Sequence, residues 1–570
     1  MNHRLLDMTL DERSAPAERR VNVGLRLTEM AAIRPDDMAV AQPTGRGKDH
    51  KFQYRSLTFR ELDEQTNRIA AGLAAMGIRP GDRLALLTPP SLDFISLVFA
   101  MFKAGVVTVM IDPGMGRSKL IHCLSRAECQ GFVGVPLVHA IRTLLRWKFP
   151  AAKKNVTVGR KWWWGGKTLD QLRETPLEQY SPAETVAEDP AAIIFTTGST
   201  GPPKGVLYRH GNFNQQVDEI RDRYEIQPGE IDLPGFPLFA LFNAAMGVGT
   251  VIPPMDFTRP AKVDPEKFIE VARDWEVTQS FGSPALWNTV GRYCERRHER
   301  IPSLRRVLSA GAPVPPHVIR RVTAAIHAEG DIHTPYGATE ALPVASISGR
   351  EVLEETAAET MQGKGVCVGS PFPGIRWRVV EIDDGPLEDI AQTREVAQGE
   401  IGELMVQGGV VTTEYVVRSD CNPLHKVADG DSFWHRMGDV GYLDDSNRFW
   451  FCGRKAHRVR TAETTLFTIP CEAIFNEIHE VYRSALVGVG STTQDARTPV
   501  IVVEPWPEHR PTTAAARADL IEKVLQCAAE HSLTRPIRKA LVHLSMPVDI
   551  RHNSKIFREK LAVWAARQIK

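Results

Sequence analysis

The stretch that most constrains this chain is Thr-Thr-Gly-Ser-Thr-Gly-Pro-Pro-Lys-Gly-Val at residues 196–206. It follows the apolar run 191–195, which indicates a buried strand, but its own glycines and prolines disfavour both helix and strand. Glycine lets backbone N–H groups approach a phosphate, hydroxyls add donors, and Lys204 adds a positive charge. The stretch predicts a phosphate-binding loop, with a flexible surface loop as the alternative. Because glycine follows Lys204, it is not a Walker A loop.

Length and composition limit the class of protein. A chain of 570 residues is too long for one hydrophobic core and predicts two or more domains. The net charge of +1 argues against a nucleic-acid binder, so no nucleic-acid partner is expected. The eight cysteines lack zinc-ligand spacing, and the first twenty residues lack the apolar core of a signal peptide. These features predict reduced thiols and a cytoplasmic location.

The N-terminal part alternates between helix and strand patterns. Apolar residues recur at three- and four-residue spacing from Leu57 to Gly77, which predicts an amphipathic helix, and a strand is predicted at 83–87. The apolar run 94–111 is long, but Lys103-Ala104-Gly105 divides it into a helix and a β-branched strand, so we expect buried structure instead of a membrane span. Such alternation predicts βαβ units and a mostly parallel sheet.

Further motifs follow the glycine-rich stretch in a fixed order. They are Ser-Ala-Gly-Ala-Pro at 309–313, Tyr-Gly-Ala-Thr-Glu at 336–340, Met-Gly-Asp at 437–439, Gly-Arg at 453–454, and a closing Pro547 segment that ends at Ser554-Lys555. Together with residues 196–206, this set resembles the signature of the adenylate-forming superfamily, which contains acyl-CoA synthetases, firefly luciferase and peptide-synthetase adenylation domains. Ser554 stands where that signature has glycine.

The resemblance implies an ATP site and a fold. The implied fold class is α/β: a large N-terminal domain, residues 1–454, of layered α/β subdomains plus a β-rich section, and a small mobile α+β domain, residues 455–570. The implied catalytic residues are Lys204, Thr339, Glu340 and Lys555, with Glu340 binding Mg²⁺ through a hard carboxylate oxygen. The implied nucleotide-binding residues are Thr196, Thr197, Gly198, Ser199, Thr200, Gly201 and Lys204 on the phosphates, Gly311, Ala312, Pro313, Tyr336 and Gly337 at the adenine, Thr339 at the α-phosphate, Asp439 at the ribose, Arg454, and Lys555.

An apolar stretch at 235–243 and a strand end near 282 are the candidate acyl site, with Phe239, Ala240, Phe242 and Gly282 as substrate-binding residues. Acyl-CoA synthetases usually carry a histidine where this chain has Ala240. They also usually have a Gly-Gly turn after the hinge, whereas no glycine occurs here between Gly453 and Gly488. Both departures count against CoA as the acceptor, since a Cβ at such a turn would impede close approach of a thiol arm.

Over nearly its whole length the chain resembles one bacterial branch, the β-lactone synthetases of long-chain olefin biosynthesis. This resemblance implies that a 2-alkyl-3-hydroxyalkanoic acid is activated with ATP and closed to a β-lactone, with release of AMP and pyrophosphate. It also implies partner enzymes of that pathway, a β-lactone decarboxylase and a ketoacid reductase. A long-chain acyl-CoA synthetase and a non-catalytic scaffold subunit remain alternatives. The base for ring closure is unassigned; His210 is a candidate by its chemistry, and a structural histidine there is the alternative.

Residues 142–167 contain eight basic residues, no acidic residue, and the triplet Trp162-Trp163-Trp164. Such a segment is typical of a membrane surface or a protein partner. The alternative, which we favour from sequence, is a solvated face whose tryptophans pack on their own domain.

Overall fold

The computed structural model describes residues 20–178, 180–196, 202–236, 239–490, 496–548 and 556–569, without the side chains of Pro113, Phe239 and Ala240. The helices are α1 Leu25–Ile33, α2 Phe59–Ala75, α3 Leu92–Lys103, α4 Arg117–Arg126, α5 Pro136–Leu144, α6 Leu169–Arg173, α7 His210–Arg223, α8 Phe239–Met246, α9 Pro265–Asp274, α10 Pro284–Arg297, α11 Pro316–Ala325, α12 Gly349–Glu351, α13 Ala357–Met361, α14 Asn422–His425, α15 Thr468–Asn476, α16 Ala514–Glu530 and α17 Arg558–Gln568.

The strands are numbered in the same way. They are β1 Met38–Arg46, β2 Phe52–Thr58, β3 Arg83–Leu87, β4 Val107–Met110, β5 Gly131–Gly134, β6 Val156–Thr157, β7 Lys167–Thr168, β8 Pro190–Phe195, β9 Gly205–Arg209, β10 Ile231–Asp232, β11 Gly249–Val251, β12 Gln279–Gly282, β13 Arg306–Ser309, β14 Asp331–Ala338, β15 Ala341–Ser348, β16 Val366–Cys367, β17 Ser370–Pro371, β18 Ile375–Val380, β19 Gly402–Gly408, β20 Tyr415–Val417, β21 Lys426–Asp429, β22 Ser432–Leu443, β23 Phe449–Arg454, β24 Val459–Arg460, β25 Thr465–Leu466, β26 Val481–Val489, β27 Thr498–Pro505 and β28 Lys539–Val542.

Two large sheets dominate the N-terminal part of the described chain. One has the strand order β20-β9-β8-β4-β3-β5-β6-β7 and the other the order β17-β15-β14-β13-β12-β10-β11-β1-β2. Their central strands pair in parallel, for example β3 with β4 and β12 with β13, while antiparallel strands lie toward the ends, for example β8 with β9 and β14 with β15. The mostly parallel sheet expected from sequence is therefore confirmed.

The predicted helix and strand units are also confirmed. Helix α2 begins after Thr58, whose side chain accepts the Glu61 N–H in a capping box, so a local sequence signal fixes this helix start. Helix α3 and strand β4 occupy the long apolar run, and every residue of both except Asp93 is buried. The core around α3 includes Val40 of one large sheet and Leu84 of the other, so α3 packs between the two sheets. No helix in the described part of the chain is long and apolar enough to cross a bilayer.

Two smaller layers follow. Strands β16, β23, β22, β19 and β18 form an antiparallel sheet extended by β21, which is the predicted β-rich section. Beyond residue 454, β26, β27 and β28 form a three-stranded sheet whose faces pack on α15, α16 and α17. The predicted α/β fold class with a smaller α+β C-terminal part is thus confirmed. The exact boundary at residues 454 and 455 stays a prediction.

Candidate nucleotide and acyl site

A cavity of about 1590 Å³ opens where the carboxyl ends of strands from both large sheets meet the antiparallel sheet. Ligands of open α/β sheets bind at such strand ends. The volume of this cavity exceeds the roughly 300–1,000 Å³ of an ordinary small-molecule pocket. The predicted site residues that line it are Thr196, Lys204, Phe242, Gly311, Gly337, Thr339, Glu340 and Arg454. The structure therefore brings residues of the first five sequence motifs to one cavity, whereas the end of the sixth motif lies outside the described residues.

The glycine-rich stretch connects two paired strands. Strand β8 ends at Phe195, and the N–H of Thr196 donates to the carbonyl of Lys204 at 3.0 Å, which closes the described base of the connection. Strand β9 then returns antiparallel to β8. Residues 197–201, and with them the predicted phosphate contacts of Thr197, Gly198, Ser199, Thr200 and Gly201, lie outside the described residues.

Thr339 and Glu340 form the tight connection between β14 and β15. The hydroxyl of Tyr208 donates to the carbonyl of Thr339 at 2.6 Å, and Tyr415 donates to Oε1 of Glu340 at 2.7 Å. Gly337 permits this turn, because a Cβ there would lie 2.7 Å from the carbonyl oxygen of Ala341. Tyr208 therefore holds the main chain of Thr339 at the cavity wall, and Tyr415 holds the side chain of Glu340 there.

Tyr336, Asp439 and Arg454 form a linked group, in which Arg454 lines the cavity and the other two lie behind it. The Tyr336 hydroxyl donates to Oδ2 of Asp439 at 2.5 Å, and Nε of Arg454 lies 3.0 Å from Oδ1. Asp439 and Arg454 are directly opposite each other on β22 and β23. Burial raises the pKa of Asp439 while the Arg454 charge opposes that rise, and burial together with Asp439 raises the pKa of Tyr336 well above its usual value.

Several predicted residues do not contact the cavity. Ala312, Pro313, Tyr336, Asp439 and Gly282 are absent from its lining, although the lining includes their neighbours Gly311, Gly337, Gly438 and Phe281. Gly282 ends β12, where an added Cβ would lie 2.8 Å from Nε1 of Trp287. Lys555 lies outside the described residues, as do the side chains of Phe239 and Ala240 on α8.

His210 is placed away from the cavity. It begins α7, its Nδ1 accepts the N–H of Val23 at 3.2 Å, and its ring is fully buried beside Phe102. Burial lowers the pKa of His210 to about 4. Since it is not among the lining residues, its placement favours the structural alternative over the role of catalytic base.

A histidine–lysine cluster that sequence reasoning missed lies beside Glu340. Nζ of Lys204 is 2.8 Å from Nε2 of His425 and lies 4.6 Å from the ring centroid of Tyr415. The rings of His425 and His435 are 6.0 Å apart, and both line the cavity. The only local signal was the dipeptide His425-Lys426 in an otherwise ordinary β-rich section. Pairing of β21 with β22 brings His435 beside Lys426.

The cluster is rich in basic groups whose protonation is disfavoured. Burial lowers the pKa of Lys204. Burial and, to a smaller extent, the Lys204 charge lower the pKa of His425 to about 4. Burial also lowers the pKa of Lys426 to about 7. A polyphosphate placed beside these groups would favour their charged forms. The electrostatics of this wall therefore suit a strongly anionic ligand.

The same wall also suits a metal ion that is coordinated mostly by the phosphates of the anionic ligand. The described residues contain no group of three or more His, Cys, Asp or Glu side chains able to hold a metal. Mg²⁺ is commonly bound through one or two carboxylates together with substrate phosphates and water. Glu340, at the cavity wall, fits this mode.

All eight cysteines are free thiols, in agreement with the sequence expectation.

Comparison with known proteins identifies relatives of this chain. The family described as AMP-binding enzyme matches residues 27–416. The chain is 45% identical over 554 residues to an olefin beta-lactone synthetase of Xanthomonas campestris, covering 96% of this chain and 98% of the relative. It is 44% identical over 560 residues to an olefin beta-lactone synthetase of Stenotrophomonas maltophilia, covering 97% and 99%. Among solved structures, ATP-bound MatB from Rhodopseudomonas palustris superimposes with a TM-score of 0.77 at 20% identity, covering 97% of this chain and 100% of that one, which supports the fold.

Proposed function

Because the chain belongs to the AMP-binding enzyme family and, within it, groups with the olefin β-lactone synthetases, we propose that it closes a long-chain 2-alkyl-3-hydroxyalkanoic acid to a β-lactone at the expense of ATP. The chain is an adenylate-forming ligase. One observation carries the choice of substrate: the cavity that contains Lys204, Thr339 and Glu340 continues into a large apolar space. A hydrocarbon acid can therefore reach the nucleotide elements directly.

The apolar part of the cavity is lined from several directions. Side chains come from α3, α7 and α8 on one side and from α4 and α5 on another, among them Phe102, Phe213, Phe242, Leu120, Ile121, Leu137 and Ile141. An acid with an alkyl branch at C2 carries two hydrocarbon chains on neighbouring carbons. A wide apolar space with walls on different elements suits such a branched substrate better than a single narrow channel would.

In the proposed reaction, a carboxylate oxygen of the acid attacks the α-phosphorus of ATP, and the bond to pyrophosphate breaks. The 3-hydroxyl oxygen then attacks the acyl carbon, the bond between that carbon and AMP breaks, and the hydroxyl proton passes to solvent water. Intramolecular attack needs no second-substrate channel, and holding the reacting atoms together replaces an entropy cost of up to roughly 7–11 kcal/mol. Activation on the carboxylate is part of this proposal.

The proposed role of each residue follows from the sequence motif to which it belongs. Lys204 and the glycine-rich connection bind the phosphates, Thr339 donates to the α-phosphate, and Lys555 stabilises the charge that develops during carboxylate attack. Gly311, Ala312, Pro313, Tyr336 and Gly337 form the adenine side, and Asp439 with Arg454 forms the ribose side. Glu340 holds Mg²⁺, which neutralises phosphate charge when bound. Phe242 and Gly282, together with Phe239 and Ala240, belong to the acyl side.

The finer partner and location assignments are part of the same proposal. We place the enzyme in the cytoplasm, in contact with the pathway enzymes that supply its hydroxy acid and consume its lactone, a ketoacid reductase and a β-lactone decarboxylase. Reduction of a 2-alkyl-3-keto acid gives a 2-alkyl-3-hydroxy acid, and a β-lactone loses CO₂ to give an alkene. The proposed substrate and product therefore fit between these two reaction classes.

The test is incubation of the purified chain with a 2-alkyl-3-hydroxy acid, ATP and Mg²⁺ in the absence of CoA, followed by mass analysis. We expect a product lighter than the acid by one water, with one AMP and one pyrophosphate per product. The matched control is the same acid without its 3-hydroxyl group, which cannot form the ring. If the hydroxy acid reacts only after CoA is added, and the product is its thioester, the chain is an acyl-CoA synthetase and the proposal fails.

A further inference from the structure

Helix α5 presents an apolar face to solvent. Leu137, Ile141 and Leu144 recur at four- and three-residue spacing and are 67%, 40% and 70% exposed, and Trp147, just beyond the helix, is 68% exposed. We name these four residues the α5 apolar face. Residues at this spacing lie on one side of a helix. Several large apolar side chains on one exposed side are unusual for a monomeric soluble surface and indicate an interaction site.

The tryptophan triplet adjoins the same helix and divides into two roles. Trp164 is buried, stacks on His139 of α5 at 5.7 Å and donates to Thr157 at 2.9 Å, so it packs within its own domain as the sequence favoured. Trp162 and Trp163 rest on Trp164 but are 52% and 71% exposed. The expectation that the tryptophans pack internally therefore holds for one of the three.

The sequence segment that carries this face has charges of one sign. The chain carries no acidic residue from Cys129 to Leu169, a stretch with eight basic residues. Lys154 is paired with Asp82, whereas Arg146, Lys148 and Arg160 form no ion pair with any described residue. Their side chains are exposed. Exposed apolar and tryptophan side chains among unpaired cations match the chemistry of a bilayer surface with anionic headgroups.

The α5 apolar face is continuous with the cavity. Leu137 and Ile141 line the cavity and are also exposed, and Arg117, Leu120 and Ile121 of α4 line it beside them. The apolar space that reaches Glu340 thus extends to the surface at α5. A long hydrocarbon acid partitions into membranes, so an opening on a membrane-facing surface would receive it without passage through water.

We propose that the α5 apolar face and its basic surroundings dock on the surface of an anionic bilayer, and that the hydrocarbon substrate enters the cavity past Leu137 and Ile141. Docking stands on the surface chemistry alone. The entry route rests also on the proposed function, since it assumes a long-chain acid as substrate. Basic residues anchor the protein through headgroup charge, and the apolar face inserts at the level of the acyl boundary.

The experiment measures binding of the full chain to sedimented vesicles made of neutral phosphatidylcholine, with or without about 30% phosphatidylglycerol. We expect binding to the anionic vesicles and at least about tenfold weaker binding to the neutral ones. The double variant Leu144→Ser, Trp147→Ser and the charge variant Arg146→Glu, Lys148→Glu should each lower the affinity for anionic vesicles at least about tenfold. The control is Ile33→Ser, because Ile33 lies on α1 and is 67% exposed, close to the 70% of Leu144 and the 68% of Trp147. This control variant should bind vesicles as the unaltered chain does.

A second readout separates docking from substrate entry. With the acid dispersed in detergent, the Leu144→Ser, Trp147→Ser variant should match the unaltered chain; with the acid supplied in vesicles, it should be several-fold slower. If no lactone forms under either supply, the proposed function fails while the vesicle assay still judges docking. Equal binding to neutral and anionic vesicles would overturn the docking proposal. So would a chain that binds no vesicles but forms a concentration-dependent dimer, if Leu144→Ser makes that dimer dissociate.

Discussion

Lys204 lies in an environment that suits an anionic ligand. Its amine lies 2.8 Å from a histidine nitrogen and over the ring of Tyr415, and burial lowers its pKa. We expect Lys204→Met to lower kcat/KM for ATP about 10²–10³-fold, measured by pyrophosphate release, because a fixed charge on the phosphates is lost. Lys364→Met, an exposed lysine paired with Glu359, is the control and should leave the rate unchanged. A change of less than twofold in Lys204→Met would remove Lys204 from the phosphate site.

His425 should make stability depend on pH. Burial and Lys204 lower its pKa from 6.5 to about 4 in the folded chain, so between these values the unfolded state binds more protons. The contribution of His425 to the free energy of unfolding must therefore rise as pH increases from about 4 to 6.5. Relative to His425→Gln, we expect the unaltered chain to gain roughly 1–3 kcal/mol over this range in urea titrations. His122→Gln, at an exposed histidine on α4, should keep the full pH dependence; an equal slope in His425→Gln would contradict the assignment.

At the scale of elements, Lys103 joins α3 to α2. It is the last residue of α3, it is buried, and its Nζ lies 2.6 Å from Asp63 Oδ1 and 2.8 Å from both Thr66 Oγ1 and Asn67 Oδ1. Lys103→Ala would leave Asp63 without its cation and should lower the free energy of unfolding by about 3–5 kcal/mol. Lys103→Met keeps the stem packed and should cost less. Equal stability of Lys103→Ala and the unaltered chain in urea denaturation would show that this pair contributes nothing.

The same elements show how far sequence alone reaches. Lys103-Ala104-Gly105 correctly predicted where α3 ends, because the signal is local: Gly105 adopts φ +66°, a conformation that glycine accepts readily. Most short motifs place at least one residue at the cavity, but their individual roles stay predictions. Sequence could not place His425 and His435 at the cavity, since their approach depends on pairing of β21 with β22 and on packing against Lys204, about 220 residues earlier. Long-range contacts of this kind leave no periodic pattern in the chain.

At the scale of the whole molecule, the fold could be predicted because six separated motifs occur in one order, whereas the exposed α5 apolar face could not. The pattern of α5 is that of any amphipathic helix, and only its neighbours decide which side is covered. Val138 packs inward against the core, while Leu137 and Leu144 are left exposed. Burial is a property of the assembled layers, so a sequence pattern indicates a buried face without showing whether a partner covers it.

The C-terminal part should behave as a separate folding unit. Beyond residue 455 the strands β26–β28 and their helices enclose their own cores, and polar pairs such as Arg458–Asp384, at 2.6 Å, connect them to earlier residues. Because Asp384 is about half exposed, this pair should contribute no more than about 1 kcal/mol. We therefore expect a fragment of residues 456–570 to unfold cooperatively on its own, and the full chain to show two calorimetric transitions. Asp384→Asn should shift neither by more than about 4 °C. A single shared transition, together with a fragment that does not fold, would contradict this prediction. It would mean that residues 456–570, which include Lys555, depend on the large sheets for their stability.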